Sequence, residues 1–207
     1  MTDGSPSDPD GSSPARSSPG SSPSDGSPPI VLAVDDEPDL AELYRVYLDG
    51  RYDVRIATSG ERALEEMDDD VDVVLLDRRM PDLSGHEVLS EIRSAGYDAR
   101  VAMLTAVEPD VDIVDMPFDD YKTKPVTREG LTALVEVLLE RAAFDERSQR
   151  FFALASKKAA LEASGTTDTE EYDELVERME AVRTEVDETL DRLSAEDAFA
   201  EISTNVS

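Results

Sequence analysis

Residues 30–38 read Ile30-Val31-Leu32-Ala33-Val34-Asp35-Asp36-Glu37-Pro38, and the change of character within them decides the fold. Five apolar residues, three of them β-branched, describe a strand buried on both faces, as in a parallel sheet. Two carboxylates follow where such a strand would end. Pro38 then stands where a helix can open, because its fixed φ suits the first helical turn and its missing N–H is not needed there. Leu40, Leu43, Tyr44, Tyr47 and Leu48 recur behind it at helical spacing.

The same alternation repeats toward the C-terminus. Residues 52–56 predict a second strand, and Ser59 caps a helix carrying Ala63, Leu64 and Met67. Residues 72–76, rich in Val and Leu, predict a third strand. Ser84 with Glu87 forms a capping box ahead of Val88, Leu89 and Ile92, and Gly96 ends that helix. Residues 100–104 and 119–123 predict the fourth and fifth strands. Thr127 caps a last helix bearing Leu131, Leu134, Val135 and Leu138. Strands alternating with helices imply right-handed crossovers, hence an α/β fold with a doubly wound five-stranded parallel sheet.

Both flanks differ from this core. Residues 1–29 hold 10 Ser, 7 Pro, 4 Gly and 4 Asp, with no apolar periodicity to offset the entropy of ordering them, and are expected to form a disordered tail. After residue 142 no strand-like segment remains. Phe151, Leu154, Ala155, Lys158 and Leu161 share one helical face. Thr167 with Glu170 predicts a second capping box, opening a helix to about Leu193 in which Tyr172, Leu175, Met179, Val182 and Val186 step by 3, 4, 3 and 4 as in a coiled coil. Residues 143–207 therefore read as an antiparallel α-helical hairpin, frayed after Ser194. Residues 145–150 interrupt the apolar stripe and are the expected joint.

Composition limits the function classes. The 207 residues carry 49 acidic and 20 basic side chains, a formal charge of −29, with one His and no Cys. Disulfides and cysteine-ligated metals are excluded. No apolar run is long enough for a membrane span and no secretory signal precedes the fold, so a cytoplasmic protein is expected. The charge argues against nucleic acid. The acid excess is 27 Asp and 22 Glu against 16 Arg and 4 Lys, a balance suited to concentrated salt, which screens self-repulsion.

The informative polar residues gather at one sheet edge. Asp35, Asp36, Asp77 and Thr105 fall at the C-terminal ends of the first, third and fourth predicted strands, and Lys124 just past the fifth. Ligands of open α/β sheets bind at this edge. Three carboxylates there repel one another unless a cation joins them, and oxygen-only ligation selects Mg²⁺ or Mn²⁺. A lysine and a hydroxyl beside a metal-bound carboxylate describe a phosphoryl site. The metal and Lys124 would neutralise phosphoryl oxygens, Thr105 would donate to one, and a carboxylate would attack.

Four motifs in order then carry a family resemblance: Val34-Asp35-Asp36-Glu37-Pro38; Leu76-Asp77-Arg78-Arg79-Met80-Pro81 with Gly85; Leu104-Thr105-Ala106; and Tyr121-Lys122-Thr123-Lys124-Pro125. Residues 30–142 resemble the receiver domain of a two-component response regulator, a flavodoxin-like fold. The resemblance implies that Asp77 is the phospho-acceptor, charged by the phosphohistidine of a sensor histidine kinase. It also implies that Asp36, Asp77 and the backbone carbonyl of Arg79 ligate Mg²⁺, with Asp35 joining through water. Lys124 would pair with the phosphoryl group, across a cis peptide to Pro125. Thr105 and Tyr121 would form a switch pair, and Ala106 leaves room beside the phosphoryl group. His86, near a helix start, is expected to be exposed and without a metal or relay role.

The span from Ala106 to Thr123 is short for the family and contains Pro117, so a full helix between the fourth and fifth strands is not expected. The segment from Phe151 to Leu161 followed by an acidic helix resembles the HalX domain. Residues 141–161 hold five basic and two acidic residues, so the hairpin is expected to be held by attraction between its own helices. The last receiver helix would run into it, coupling phosphorylation to hairpin position. The expected partners are the kinase, an output partner of unknown identity, and a second copy docked through the final receiver helix or the hairpin. Two other functions stand beside the response regulator. One is a DNA-binding transcriptional regulator using the basic 141–161 patch. The other is an aspartate-nucleophile phosphatase, which ordinarily places a carboxylate where Arg79 stands. The expected chemistry is therefore self-phosphorylation and slow hydrolysis, not catalysis on an external substrate.

Overall fold

The computed structural model describes residues 27–106 and 116–204, with side chains described as far as residue 193. Most of the expected tail, and residues 107–115 of the segment expected to lack a full helix after the fourth strand, lie outside the described residues; residues 116–119, Pro117 among them, are described and are not helical.

Five strands form one parallel sheet in the order β2-β1-β3-β4-β5. They are β1 (Ile30–Val34), β2 (Asp53–Ala57), β3 (Val71–Asp77), β4 (Arg100–Thr105) and β5 (Asp120–Thr123). Strand order reverses at β1 and β3, so the edge beyond their C-terminal ends is the topological switch point. The second strand begins one residue later than its apolar run suggested, at Asp53, whose N–H donates to the Pro29 carbonyl at 2.9 Å.

Alternation along the strands divides the core into two layers. Leu32, Val34, Val74, Leu76, Val101 and Met103 face α2 (Gly60–Glu66) and α3 (Gly85–Ala95), meeting Ala63, Met67, Val88, Leu89 and Ile92. Val31, Ala33, Val73, Leu75, Ala102 and Leu104 face α1 (Pro38–Leu48) and α4 (Arg128–Ser164), meeting Tyr44, Leu48, Leu131, Leu134, Val135 and Leu138. Helix boundaries follow the caps. Ser59 Oγ accepts from the Arg62 N–H, Ser84 and Glu87 form the reciprocal box, and Thr127 Oγ1 accepts from the Gly130 N–H. Gly96 ends α3 at φ 81°, in the left-handed region that glycine tolerates.

Helix α4 runs 37 residues, from the receiver-like core into the hairpin, so a boundary at 142/143 falls inside it. Residues 145–150 are not a joint but a bridging segment. Asp145 pairs with Arg100 on β4, and the Arg147 guanidinium donates to Thr189 Oγ1 at 2.9 Å on α5 (Glu170–Thr204). Arg147 also lies 3.5 Å from Glu185. The polar residues that break the stripe thus grip the sheet on one side and the second hairpin helix on the other.

The hairpin seam joins Leu154 to Leu175 and Val182, flanked by Phe151, Leu161, Met179 and Val186. The expected capping box at Thr167 is not used. Thr169 accepts from the Tyr172 N–H through its side chain and from both Tyr172 and Asp173 through its carbonyl, so α5 opens two residues later. That start lets the Tyr172 hydroxyl reach Glu162 on α4 at 2.9 Å while Leu175 stays in the seam. Helix α5 also continues past Leu193 to Thr204, where fraying was expected. No described helix is long and apolar enough to cross a membrane.

One glycine is fixed by close approach. A Cβ at Gly85 would stand 2.1 Å from the Asp77 carbonyl oxygen, and the Gly85 N–H donates to the Arg78 carbonyl at 3.1 Å. Replacing Gly85 by Ala must push α3 away from the end of β3. Gly85→Ala is expected to cost about 2–3 kcal/mol, read as a lower urea midpoint at fixed salt. An unchanged midpoint would contradict this packing.

Candidate functional site

Each strand at the switch point ends in a polar residue, because the buried apolar run stops where the chain leaves the sheet. Asp35 follows β1 and is fully buried, Asp77 closes β3 at 6 % exposure, and Thr105 closes β4 with no exposure. Asp36 is the most open of the carboxylates. Asp35, Asp36 and Asp77 each bring a carboxylate oxygen within 4.8 Å of the others.

Lys124 ties this edge together. Its Nζ donates to Asp35 Oδ2 at 2.7 Å and lies 3.2 Å from Asp77 Oδ2. The Lys124 N–H donates to the Thr105 carbonyl at 2.8 Å, holding the lysine beside β4. The peptide to Pro125 is cis, as expected. Asp35 Oδ1 accepts from the Glu37 N–H at 3.1 Å, so its side chain also fixes the turn into α1.

Burial opposes both charges of the central pair. It pushes the Asp77 carboxyl above its ordinary value, the Asp35 charge adds to this, and Lys124 and the Arg79 N–H pull the other way. Burial lowers the Lys124 ammonium, but its bonds to Asp35 and Asp77 outweigh that and leave it raised, hence firmly charged. Asp77 Oδ1 is buried without a hydrogen-bond partner. An orphaned carboxylate oxygen beside two further carboxylates is the place a hard cation would fit. The residues present can therefore hold Mg²⁺ or a similar ion.

The remaining expected residues fall around this centre. Arg79 is exposed, two residues past Asp77, and its N–H donates to the Asp77 carboxylate. Tyr121 is half-buried, packed on the α2–α3 layer and against the Phe118 ring at 5.7 Å between centroids. Ala106 and His86 are exposed, His86 in the first turn of α3. Tyr44 is a site neighbour that the sequence reading placed only in the core stripe of α1. Its hydroxyl is buried without a partner, and burial together with the charges of Asp35, Asp77 and Glu37 pushes its phenol upward. No spacing signal separates a tyrosine that packs from one that also faces a charged site.

The basic patch is largely spent inside the molecule. Arg141 donates to the Asp119 carbonyl at 3.2 Å, Arg147 pairs with Glu185, and Lys158 pairs with Glu162.

Comparison with known proteins follows the same division. The family model for the response regulator receiver domain matches residues 31–136, and that for the HalX domain matches residues 140–203. A Haloferax volcanii protein named "Putative transcriptional regulator" is 51 % identical over 160 residues, 75 % of this chain and 28 % of that protein. The transcriptional regulatory protein CpxR of Klebsiella pneumoniae is 37 % identical, over 58 % of this chain and 53 % of its own. The chain thus spans about half, or less, of these relatives. The response regulator DrrB of Thermotoga maritima superposes with a TM-score of 0.51 at 30 % identity, covering 55 % of this chain and 54 % of that one. A response regulator receiver domain from Clostridium thermocellum gives 0.50 at 28 % identity, over 55 % of this chain and 95 % of that one. With the sheet order, the acidic edge and the family matches in agreement, this chain belongs to the two-component response regulators, a receiver domain followed by a HalX domain.

Proposed function

We propose that Asp77 accepts a phosphoryl group from the phosphohistidine of a sensor kinase, in a reaction that requires Mg²⁺. The observation that carries this reading is the buried, unpartnered Asp77 Oδ1, on a carboxylate whose other oxygen lies 3.2 Å from Lys124 Nζ and which clusters with those of Asp35 and Asp36. An Asp77 oxygen attacks phosphorus, the N–P bond of the donor breaks, and its electron pair returns to the imidazole. Asp36, Asp77 and the Arg79 carbonyl would hold the metal, with Asp35 through water. When bound, the metal neutralises phosphoryl oxygens as charge moves onto them. Lys124 is charged and already 3.2 Å from Asp77, so it meets the incoming phosphoryl group without reorganising. Thr105 closes β4 next to this centre and serves as a donor, and with Tyr121 as the switch pair.

The acyl phosphate would then be lost to water, which attacks phosphorus and restores the Asp77 carboxylate. No external substrate enters, so the protein is a signalling device, not an enzyme. Output runs through the HalX hairpin, by self-association or by a partner protein. The acidic surface, with 27 Asp and 4 Lys, suits a cytoplasm of high salt. DNA binding through residues 141–161 gains little support, since Arg141, Arg147 and Lys158 are already held by acceptors within the chain.

Incubation with a small-molecule phosphodonor in molar salt is expected to add one phosphoryl mass with Mg²⁺ and none after chelation. Asp77→Asn should stay unlabelled, and equal labelling of both proteins would overturn the assignment. Mg²⁺ should raise the melting temperature of the wild type by stabilising the clustered carboxylates. The same addition should have much less effect on Asp36→Ala, and an equal shift in both would remove Asp36 from the metal site. Arg79 stands exposed beside the acceptor, where water would approach. Arg79→Ala is expected to change the half-life of phospho-Asp77 severalfold, and an unchanged half-life would exclude that role.

A further inference from the structure

Besides Asp77 Oδ1, the hydroxyl of Tyr44 is buried near the switch-point edge without a hydrogen-bond partner. The Asp77 oxygen has a use in the proposed reaction, and the Tyr44 hydroxyl takes no part in it. Tyr44 is 2 % exposed. It shares its layer with Ala33 and Leu104, the penultimate residues of β1 and β4, and with Leu131 of α4. Phenylalanine would fill this place without burying an unpaired hydroxyl, which is costly in an apolar layer.

Helix geometry aims that hydroxyl at the site. Tyr44 stands in the second turn of α1, on the same face as the N-cap residue Glu37. Long side chains of a helix lean back toward its N-terminus, and α1 begins directly after Asp35, Asp36 and Glu37. In keeping with this, burial and then the charges of Asp35, Asp77 and Glu37 push the phenol upward. Tyr44 therefore stays protonated, a neutral donor turned toward buried acceptors.

Its acceptor follows from what surrounds Asp35. The Asp35 side chain is 1 % exposed, and each of its oxygens holds one donor. Oδ1 takes the Glu37 N–H at 3.1 Å, and Oδ2 takes the Lys124 ammonium at 2.7 Å. Lys124 is thus nearer to Asp35 than to Asp77, which lies at 3.2 Å. A phosphoryl group on Asp77 brings further negative charge to that side and draws the ammonium toward it. Asp35 Oδ2 would then be a buried charge without its partner, which is destabilising unless another donor reaches it. We propose that Tyr44 is that donor, a positioning residue whose hydroxyl takes over Asp35 when Lys124 turns to the phosphoryl group. The exchange holds Asp35 in place, and with it the turn into α1 that carries Asp36. It rests on the phospho-acceptor reading of Asp77 and adds a residue to it.

Beryllofluoride, which mimics a phosphoryl group on an aspartate without turnover, tests this on the full chain in molar salt. Calorimetric titration gives two constants, one for Mg²⁺ alone and one for beryllofluoride on the Mg²⁺-loaded protein. Tyr44→Phe is expected to leave the first unmoved, because Lys124 still holds Asp35, and to weaken the second about tenfold. Its melting temperature without ligand should not fall, since an unpaired buried hydroxyl has been removed. Tyr52→Phe removes a hydroxyl from the same layer, just before β2 and so at the opposite edge of the sheet, and should leave both constants unmoved. An unmoved beryllofluoride constant in Tyr44→Phe would overturn the proposal. A parallel loss of melting temperature and of both constants would also overturn it, as the mark of a packing role. Failure of the wild type to bind beryllofluoride would strike the phospho-acceptor reading, and the Tyr44 exchange with it.

Discussion

The ammonium of Lys124, held between Asp35 and Asp77, is the interaction on which the switch-point edge depends. It joins the ends of β1 and β3 to the residue just past β5, across β4, which lies between β3 and β5 in the sheet. Two buried carboxylates facing each other without it would carry their full desolvation cost. The arrangement is nonetheless incomplete as a structural device, because Asp77 Oδ1 is left buried and unbonded. A core built for stability alone would bond that oxygen or replace it. An open carboxylate oxygen among clustered carboxylates suits a hard cation, which fits the proposed Mg²⁺ site.

The opposite end of β5 is as firmly held. Asp119, just before the strand, takes Arg93 of α3 and Arg100 of β4 on its two carboxylate oxygens, each at 2.8 Å. Arg100 continues to Asp145 and Arg141 returns to the Asp119 carbonyl, so the start of β5 is bonded to α4 where that helix leaves the sheet. Strand β5 is four residues long, with Lys124 immediately beyond it. Lys124 and the base of the hairpin are therefore separated by one short strand. Arg147 and Glu140 extend the connection to α5 through Thr189, Glu185 and Arg192.

The site was legible because its residues sit where apolar strands end, and strands of this sheet are among the strongest local signals a sequence carries. Val34-Asp35-Asp36 and Leu76-Asp77 mark their own position. The same holds for the caps at Ser59, Ser84 and Thr127, whose side chains do what their spacing implied. What local pattern could not reveal was decided by distant partners. Residues 145–150 looked like a break because their polarity has no local purpose; it is spent on Arg100 and Thr189, 45 and 42 residues away. Thr167 has the better capping sequence, yet Thr169 caps the helix, because the hairpin needs Tyr172 against Glu162. The Tyr44 hydroxyl entered the field of the carboxylates unseen, since a helical stripe records burial and not what lies at its tip.

The proposed function requires one bond, between an oxygen of Asp77 and phosphorus. An acyl phosphate is reduced by borohydride, which converts the phosphorylated aspartate to homoserine and marks its position permanently. Peptide mass spectrometry of the phosphodonor-treated, borohydride-reduced chain should find homoserine at position 77 and aspartate at positions 35 and 36. Homoserine at either of those two positions, or at none, would contradict the central claim.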